Sequence, residues 1–215
     1  IEDGILCPFN YHPLKVELTD EEKLKIKNLI SFYNGQRNEK PLKMSQEEFR
    51  RKLANIKNEA SDKKYVFESF VKSNPNLAKN SIIFCHTEEQ ARSLGEYMNA
   101  HVTDSFGIFV GRTRDNEQLK RLANKEIDCL ISCKVLNEGI DVPSLENIFL
   151  LASPSTPLTT IQRIGRCIRI DSKNKNKMAN VIDFICYRDI DNDDIIDADK
   201  KRQEWLSKVA KYRKN

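Results

Sequence analysis

The stretch SIIFCHTEEQ, residues 81–90, joins an apolar run to a helix start. Its first half contains Ile82-Ile83-Phe84, and three large apolar residues in succession are typical of a strand that is buried on both faces. Its second half, Thr87-Glu88-Glu89-Gln90, is a capping box, in which the hydroxyl caps the first turn and Gln90 reaches back. A buried strand that leads at once into a helix is the repeating unit of a parallel α/β fold.

Four more apolar runs of strand length follow along the chain. They are residues 106–110, 127–132, 148–151 and 181–185. Polar or helix-length segments separate them, and apolar strands alternating with helices indicate a mainly parallel sheet covered on both faces. We therefore predict a three-layer α/β/α domain, with ligand contacts at the carboxyl ends of the strands.

The first third of the chain is helical and highly charged. Leu14, Val16 and Leu18 alternate with charged residues, which predicts a half-buried strand after an irregular connector over residues 1–13. Capping boxes then predict helices that begin after Thr19 and after Ser45.

A further helix is expected over residues 62–72, and residues 20–72 as a whole carry no chemistry that the sequence reveals. At the other end, an acidic loop over residues 189–199 precedes a basic helix with Trp205, Val209 and Tyr212 on one face. We expect this helix to pack against the domain, and docking of a partner is the alternative.

The composition bounds the function only loosely. The 36 basic residues are nearly offset by 32 acidic ones, so the net charge of +4 permits a polyanionic partner without requiring one. The six cysteines contain no C-x-x-C pair, which favours buried, reduced thiols in a cytosolic protein. The three histidines are too scattered to predict a zinc site, and no signal peptide or membrane-spanning run is evident.

The segment Gln162 to Arg169 holds the strongest functional signal. It follows Ser155-Thr156-Pro157, a typical helix start. At helical spacing one face is apolar and is expected to be buried; it holds Pro157, Ile161, Ile164 and Ile168. The opposite face holds Gln162, Arg166 and Arg169, with Arg163 beside them. Clustered guanidinium groups match phosphate oxygens, although a solvated basic face is the simpler alternative.

Weaker signals follow other strands at the same edge of the predicted sheet. Thr87 and Ser132 are hydroxyls at strand ends, and Gly139 and Asp141 lie in the loop after Ser132, where an aspartate can bond a ribose hydroxyl. The turn Gly111-Arg112-Thr113-Arg114 offers a hydroxyl and two cations, which favours contact with a nucleic-acid backbone over a plain solvated loop.

Taken in order, residues 81–87, 132–143 and 162–169 resemble motifs IV, V and VI of superfamily 2 helicases. Residues 81–185 resemble the second RecA-like lobe of that family. The stretches NEGIDVPSLENIFLL and TTIQRIGRCIR are most similar to its repair-helicase, phage-helicase and restriction-translocase branch. The opening DGILCPFNYHPLKVELTDEE resembles the linker and first strand that follow the first lobe in that branch.

The resemblance implies a role for each motif residue. Arg166 and Arg169 match arginine fingers, Gln162 with neighbouring Arg163 lines the ATP cleft, and Gly139 and Asp141 lie near the ribose. The resemblance also implies that Thr87 and Ser132 contact the nucleic-acid backbone. With the two residues inferred from the turn after the strand, the predicted nucleic-acid contacts are Thr87, Arg112, Thr113 and Ser132. Because motif VI begins with Gln162 where DEAD-box RNA helicases have histidine, we expect DNA as the partner, with RNA as the alternative.

The resemblance also implies the domain division: a linker from an upstream lobe over 1–13, the RecA-like lobe over 14–190, and a C-terminal helix over 191–215. The sequence has no G-x-x-x-x-G-K-S/T loop, and no D-E-x-x box follows a strand, since Asp20-Glu21-Glu22-Lys23 is part of the predicted helix start. We therefore expect ATP and Mg²⁺ to be held mainly by an N-terminal RecA-like lobe of the same protein, and this chain alone to be inactive. The function predicted is the C-terminal motor lobe of a cytoplasmic or nucleoid-associated DNA helicase or translocase. A non-catalytic nucleic-acid-binding module and a scaffold are the alternatives.

Overall fold

The computed structural model describes residues 7–36, 43–110, 117–133, 145–152, 160, 164–165, 177–187 and 197–212. The strands are β1 (Phe9–Val16), β2 (Ser81–Phe84), β3 (Phe106–Phe109), β4 (Cys129–Ser132), β5 (Asn147–Leu150) and β6 (Ala179–Cys186). The helices are α1 (Asp20–Gly35), α2 (Gln46–Asn58), α3 (Asp62–Ser73), α4 (Glu88–His101), α5 (Glu117–Ala123) and α6 (Ala198–Tyr212), and a 3-10 turn covers Pro75–Ala78.

The strands form one sheet in the order β1-β6-β5-β2-β4-β3, and every pairing between them is parallel. Consecutive side chains of a strand point to opposite faces of a sheet, and here both faces are apolar. Ile83, Ile131 and Phe149 enter a core shared with α1 to α4. Ile82, Leu130 and Ile148 enter a second core shared with α5 and α6. The predicted three-layer α/β/α architecture is confirmed.

The first strand begins earlier than the sequence indicated. It starts at Phe9 rather than near Leu14, and it continues through Pro13 and ends at Val16, before Leu18. A central strand forms hydrogen bonds with a neighbour on each side, and proline lacks the N–H that it would donate. Prolines in sheets are therefore confined largely to edge strands. β1 is the outermost strand and pairs with β6 alone, which explains how Pro13 is accommodated.

The three helix caps show how far local sequence determines these boundaries. Thr19 and Glu22 form the predicted reciprocal box, and Glu22 also accepts a hydrogen bond from the N–H of Ser61, at the start of α3. Ser45 caps α2 through the N–H of Glu48. Thr87 caps α4, but Gln90 accepts from the N–H of His86 instead of that of Thr87. The side chain of Gln90 therefore bonds to the N–H one residue before the one that the predicted capping box requires.

A row of three asparagines crosses the sheet near the amino ends of its strands. Asn10, Asn180 and Asn147 are in register on β1, β6 and β5. The amide of Asn10 donates to Asn180 over 3.2 Å, and that of Asn180 donates to Asn147 over 2.8 Å. Asn147 in turn donates over 2.7 Å to the carbonyl of Lys79, just before β2. The row therefore links four elements and specifies their register, because a slip of one residue would turn each amide to the other face.

Replacing Asn180 with alanine is expected to destabilise the chain by about 1–3 kcal/mol, since the buried side-chain oxygen of Asn147 loses its donor. Urea unfolding measures the effect. Asn28→Ala, at an exposed position of α1, is the matched control and should change stability by less than about 0.5 kcal/mol. Equal effects of the two substitutions would show that the row contributes nothing.

Candidate nucleic-acid interface at the carboxyl edge of the sheet

Four strands end at one level on the carboxyl edge of the sheet. Phe84, Phe109, Ser132 and Leu150 are aligned across β2, β3, β4 and β5. The predicted site residues end these strands, as Ser132 does, or follow them in the sequence. Of them, the structure describes Thr87 and Ser132. The others lie outside the described residues: Arg112, Thr113, Gly139, Asp141, Gln162, Arg163, Arg166 and Arg169.

Thr87 lies at this edge as the N-cap of α4. Its hydroxyl oxygen accepts a hydrogen bond from the N–H of Gln90 over 3.1 Å, and the side chain is half-buried. An N-cap hydroxyl still has a proton to donate, and the N–H groups of the first helical turn favour anions. Thr87 is therefore placed where a hydroxyl and a helix terminus can meet a phosphate.

Ser132 is the last residue of β4 and is fully buried. Its carbonyl oxygen accepts a hydrogen bond from the N–H of Cys85 over 2.9 Å, which holds the end of β4 against the chain that leaves β2. The structure thus brings Ser132 and Thr87 to the same edge, but the Ser132 hydroxyl does not reach the surface. Its contact with nucleic acid stays a prediction.

A groove of about 490 Å³ opens beside Thr87. One wall is the turn between α2 and α3, with Glu59 and Ser61, together with Lys64 at the start of α3; the other is the start of α4. The imidazole Nε2 of His86 lies 3.3 Å from a carboxylate oxygen of Glu59. The helical region that the sequence left unexplained therefore forms part of the surface next to motif IV.

The buried face predicted for the arginine segment is supported by its one described apolar member. Ile164 is buried and packs into the core shared with α5 and α6. The remaining members of the apolar face, Pro157, Ile161 and Ile168, lie outside the described residues.

Charged side chains meet behind the carboxyl edge in an arrangement that we call the edge clamp: Lys57, Asp183, Asp197, Asp199 and Arg202. Arg202 of α6 donates from Nε and Nη2 to the fully buried carboxylate of Asp183 on β6, with distances of 2.9–3.1 Å. Its Nη1 donates to Asp199 over 2.8 Å. Lys57, at the end of α2, donates to Asp197 over 2.8 Å and lies 3.6 Å from Asp199. Three elements are thereby joined.

The charges of the edge clamp are strongly coupled. Burial alone would raise the pKa of Asp199, but Arg202, Lys57 and Lys63 outweigh it and lower that pKa to about 2. The phenol of Tyr11 donates to Asp183 over 2.9 Å, and its pKa is raised by burial and by that carboxylate. The carboxylate of Asp183 thus accepts hydrogen bonds from donors on both β1 and α6.

A second buried lysine supports the same edge. The ammonium of Lys63, near the start of α3, donates to the carbonyl of Leu151, directly after β5. Burial lowers the pKa of Lys63, while Cys186, Asp199 and Asp183 act in the opposite direction. Two helices of the N-terminal region therefore each send a lysine to the carboxyl edge.

Sequence reasoning missed the edge clamp, although one signal was present. Asp183 interrupts the apolar run of 181–185, and a carboxylate inside a buried strand requires a cationic partner. The predicted apolar face of α6 was also shifted: the buried face carries Asp199, Arg202, Leu206 and Ala210, and Trp205 and Val209 flank it as partly buried side chains. The expected packing of α6 against the domain is confirmed.

The described residues lack two kinds of feature. They contain no group of three or more histidine, cysteine, aspartate or glutamate side chains that could hold a metal ion. None of their helices is long and apolar enough to cross a membrane.

The comparisons with known proteins agree with the fold and identify the family. The family model described as the helicase conserved C-terminal domain matches residues 62–171, just over half of the chain. The chain belongs to this family. The match spans Thr87, Ser132 and the arginine segment, and it confirms the resemblance to a superfamily 2 helicase C-terminal lobe.

The helicase domain is similar to several named relatives. A protein of Sulfolobus islandicus filamentous virus, whose name describes it as a helicase, is 32% identical over 102 residues, covering 46% of this chain and 18% of its own length. The ATP-dependent RNA helicase SrmB of Escherichia coli is 30% identical over 99 residues, covering 45% and 22%. The chain thus spans about a fifth of the length of the curated relatives it matches.

Among solved structures, that of T4 UvsW superposes with a TM-score of 0.56 at 15% identity. The superposition covers 94% of this chain and 40% of UvsW. At this identity the likeness concerns the fold alone, and together with the parallel six-stranded sheet it confirms the RecA-like α/β fold.

Replacing Arg202 with methionine is expected to destabilise the helicase domain by about 3–5 kcal/mol, because Asp183 would stay buried without its cation. Thermal or urea unfolding measures the loss. Lys208→Met, at an exposed position of the same helix, is the matched control. A small effect of Arg202→Met, no larger than that of the control, would contradict the importance assigned to the edge clamp.

Stability should fall in acid as Asp199 is protonated. Its pKa drops from 3.8 to about 2 on folding, so its contribution is fully present above about pH 4 and is lost as the pH falls towards 2. The full contribution is roughly 2 kcal/mol, by the usual conversion of a pKa shift. The free energy of unfolding, measured at several pH values from about 5 down to about 2, tests this contribution.

The variant Asp199→Asn should be less stable at neutral pH and should lose less stability in that acid window. The exposed Asp104→Asn serves as control and should retain the acid dependence of the unchanged chain. An Asp199→Asn variant that loses stability as steeply as the unchanged chain would overturn the assignment.

Proposed function

We propose that this chain is the C-terminal motor lobe of an ATP-dependent helicase or translocase acting on DNA. The observation that carries the proposal is the family match over residues 62–171, which spans every proposed site residue of the chain. The parallel sheet supports it, because ligands of such sheets bind at the carboxyl ends of the strands, where Thr87 and Ser132 lie.

The chemistry assigned to this lobe is stabilisation of charge. ATP with Mg²⁺ supplies the phosphoryl group whose transfer drives the motor, and we propose that both are held mainly by an N-terminal RecA-like lobe. Arg166 and Arg169 would face the phosphates and stabilise the charge that develops in transfer, while Gln162 and Arg163 would orient the nucleotide. Gly139 and Asp141 would approach the ribose. These six residues cannot complete a site on their own, so the lobe alone is expected to be inactive.

The track for nucleic acid would run along the carboxyl edge. Thr87 offers a hydroxyl and the N-terminus of α4. In the sequence, Arg112 and Thr113 follow β3, which lies on the far side of β4 from β2. Ser132 would join them if its hydroxyl became exposed when the two lobes close. Contacts of this kind go to the sugar-phosphate backbone, so they position a strand without reading its sequence.

DNA is the proposed nucleic acid because Gln162 occupies the first position of motif VI. RNA is the alternative, since relatives such as SrmB carry the name of RNA helicases. The location proposed is the cytoplasm or nucleoid. This proposal rests on the sequence alone, whose cysteine pattern favours reduced thiols.

A non-catalytic nucleic-acid-binding or scaffold module is the second candidate. It would use the same fold, with arginines that contact nucleic-acid phosphates directly instead of the nucleotide. The two candidates differ in what Arg166 does, so its substitution separates them.

In the full-length protein that carries both lobes, Arg166→Ala should lower DNA-stimulated ATP turnover by roughly 10³-fold or more, as for other arginine fingers. Nucleotide affinity should change less, because a finger acts mainly in the transition state. Arg166→Lys should rescue poorly, since an ammonium does not reproduce the planar fork. Steady-state kinetics at saturating duplex DNA, repeated with RNA, measures these effects.

Arg50→Ala is the matched control, because Arg50 is an exposed arginine on α2. It should leave turnover unchanged. Weak DNA binding by Arg166→Ala combined with near-normal turnover at saturating DNA would support the binding module instead. Stimulation by RNA but not by DNA would replace the proposed substrate while leaving the motor intact.

A further inference from the structure

Two cysteines face each other across neighbouring strands at the carboxyl edge. The register of β2 and β4 aligns Phe84 with Ser132, so the next residues, Cys85 and Cys133, are opposite one another. Both continue the ladder beyond the strand ends: the N–H of Cys85 donates to Ser132 over 2.9 Å, and that of Cys133 donates to Phe109 over 3.3 Å. The backbone therefore holds the pair in a fixed alignment.

Both thiols lie on the same face of the sheet. Cys85 is a buried member of the core shared with α1 to α4, and Cys133 packs against that core as a partly buried side chain. Each sulfur donates to a nearby carbonyl, that of Cys85 to Thr87 and that of Cys133 to Phe109. These are long, weak contacts of 3.8 and 3.9 Å that a rotation about the Cα–Cβ bond can release.

The spacing of the two backbones suits a covalent bond. Adjacent strands of a sheet lie about 4.8 Å apart, and disulfides join Cα atoms separated by roughly 4.4–6.8 Å. Residues that are opposite one another in a parallel pair also point their Cβ atoms in the same direction. No movement of β2 or β4 along the sheet is needed.

We propose that Cys85 and Cys133 form a reversible disulfide when the chain meets a small-molecule disulfide such as oxidised glutathione. The thiolate of Cys133 attacks one sulfur of the oxidant, which breaks the oxidant's S–S bond and releases one small thiol. The thiolate of Cys85 then attacks the sulfur of Cys133 and displaces the second small thiol. Two protein thiols are oxidised, one disulfide is reduced, and the two protons end on the released thiols.

The order of the two steps follows from exposure. Cys133 is the partly exposed member, so it meets the oxidant first. Burial, and secondly the neighbouring Cys133, raise the pKa of the Cys85 thiol, so its thiolate fraction is small at neutral pH. The second step should be the slower one and should accelerate as the pH rises.

The bond would have a regulatory consequence. It would fasten the ends of β2 and β4 together between Thr87 and Ser132, the two described residues of the proposed nucleic-acid track. Any movement of that edge during nucleic-acid binding would then depend on the redox state of the thiols. Formation of the disulfide itself does not depend on the proposed function, so it is tested separately on this chain.

The test treats the reduced chain with oxidised glutathione at neutral and at raised pH, followed by intact mass and tryptic mapping. A Cys129→Ala background is used, because the tryptic peptide of residues 126–134 otherwise contains both Cys129 and Cys133. The expected product has lost two hydrogens and joins that peptide to the peptide of residues 80–92, which contains Cys85. Excess reduced thiol should restore both peptides.

Two further variants test the order of the steps. Cys85→Ser should accumulate one glutathione on Cys133, because no second thiolate displaces it. Cys133→Ser should give no linked product and little modification of Cys85. The proposal is overturned if the parent chain stops at a glutathione adduct at every pH, if the linked peptides are a different pair, or if no thiol is consumed. If Cys85→Ser fails to fold, the Cys133→Ser variant and the tryptic map of the parent chain still decide whether the disulfide forms.

Discussion

The buried pairing of Arg202 with Asp183 is the constraint on which the described structure most depends. A carboxylate in the middle of β6, with no exposed surface, carries a desolvation penalty that only a well-oriented cation offsets. The guanidinium meets it through two nitrogens and meets Asp199 through a third. This arrangement fixes α6 over β6, and Lys57 extends the same charges to α2. The C-terminal helix and the N-terminal helical region are therefore held by one group of charges rather than by apolar contact alone.

This arrangement shows a structural role for the helical region that its sequence does not reveal. Residues 20–72 contribute Lys57 to the edge clamp, and their Lys63 donates a hydrogen bond to the carbonyl that follows β5. The chain that leaves β5 leads in sequence to the arginine segment. The N-terminal helices thus support the edge from which the proposed chemistry is presented, and their turn at Glu59 to Lys64 also lines the groove beside Thr87.

Most of the fold could be predicted from the sequence because its determinants are local. Five apolar runs became strands, and the hydroxyl caps at Thr19, Ser45 and Thr87 begin helices as expected. What could not be predicted depends on distant partners: Pro13 inside a strand requires knowledge that β1 is an edge, and the burial of Arg202 requires Asp183. Of the site, the positions of Thr87 and Ser132 at a common edge were accessible from strand ends, whereas the depth of Ser132 depends on the layers packed around it.

The pairing of the first and last strands has a consequence for biosynthesis. Asn10 and its partner Asn180 are 170 residues apart in the chain. At typical rates of translation, roughly 10 to 35 seconds pass between the emergence of the first strand and that of its only neighbour. During this interval an amphipathic strand is exposed beside the ribosome with its edge unprotected. The nascent chain is then a natural client for chaperones that bind extended apolar segments, and the sheet is completed only when translation of the domain is nearly finished.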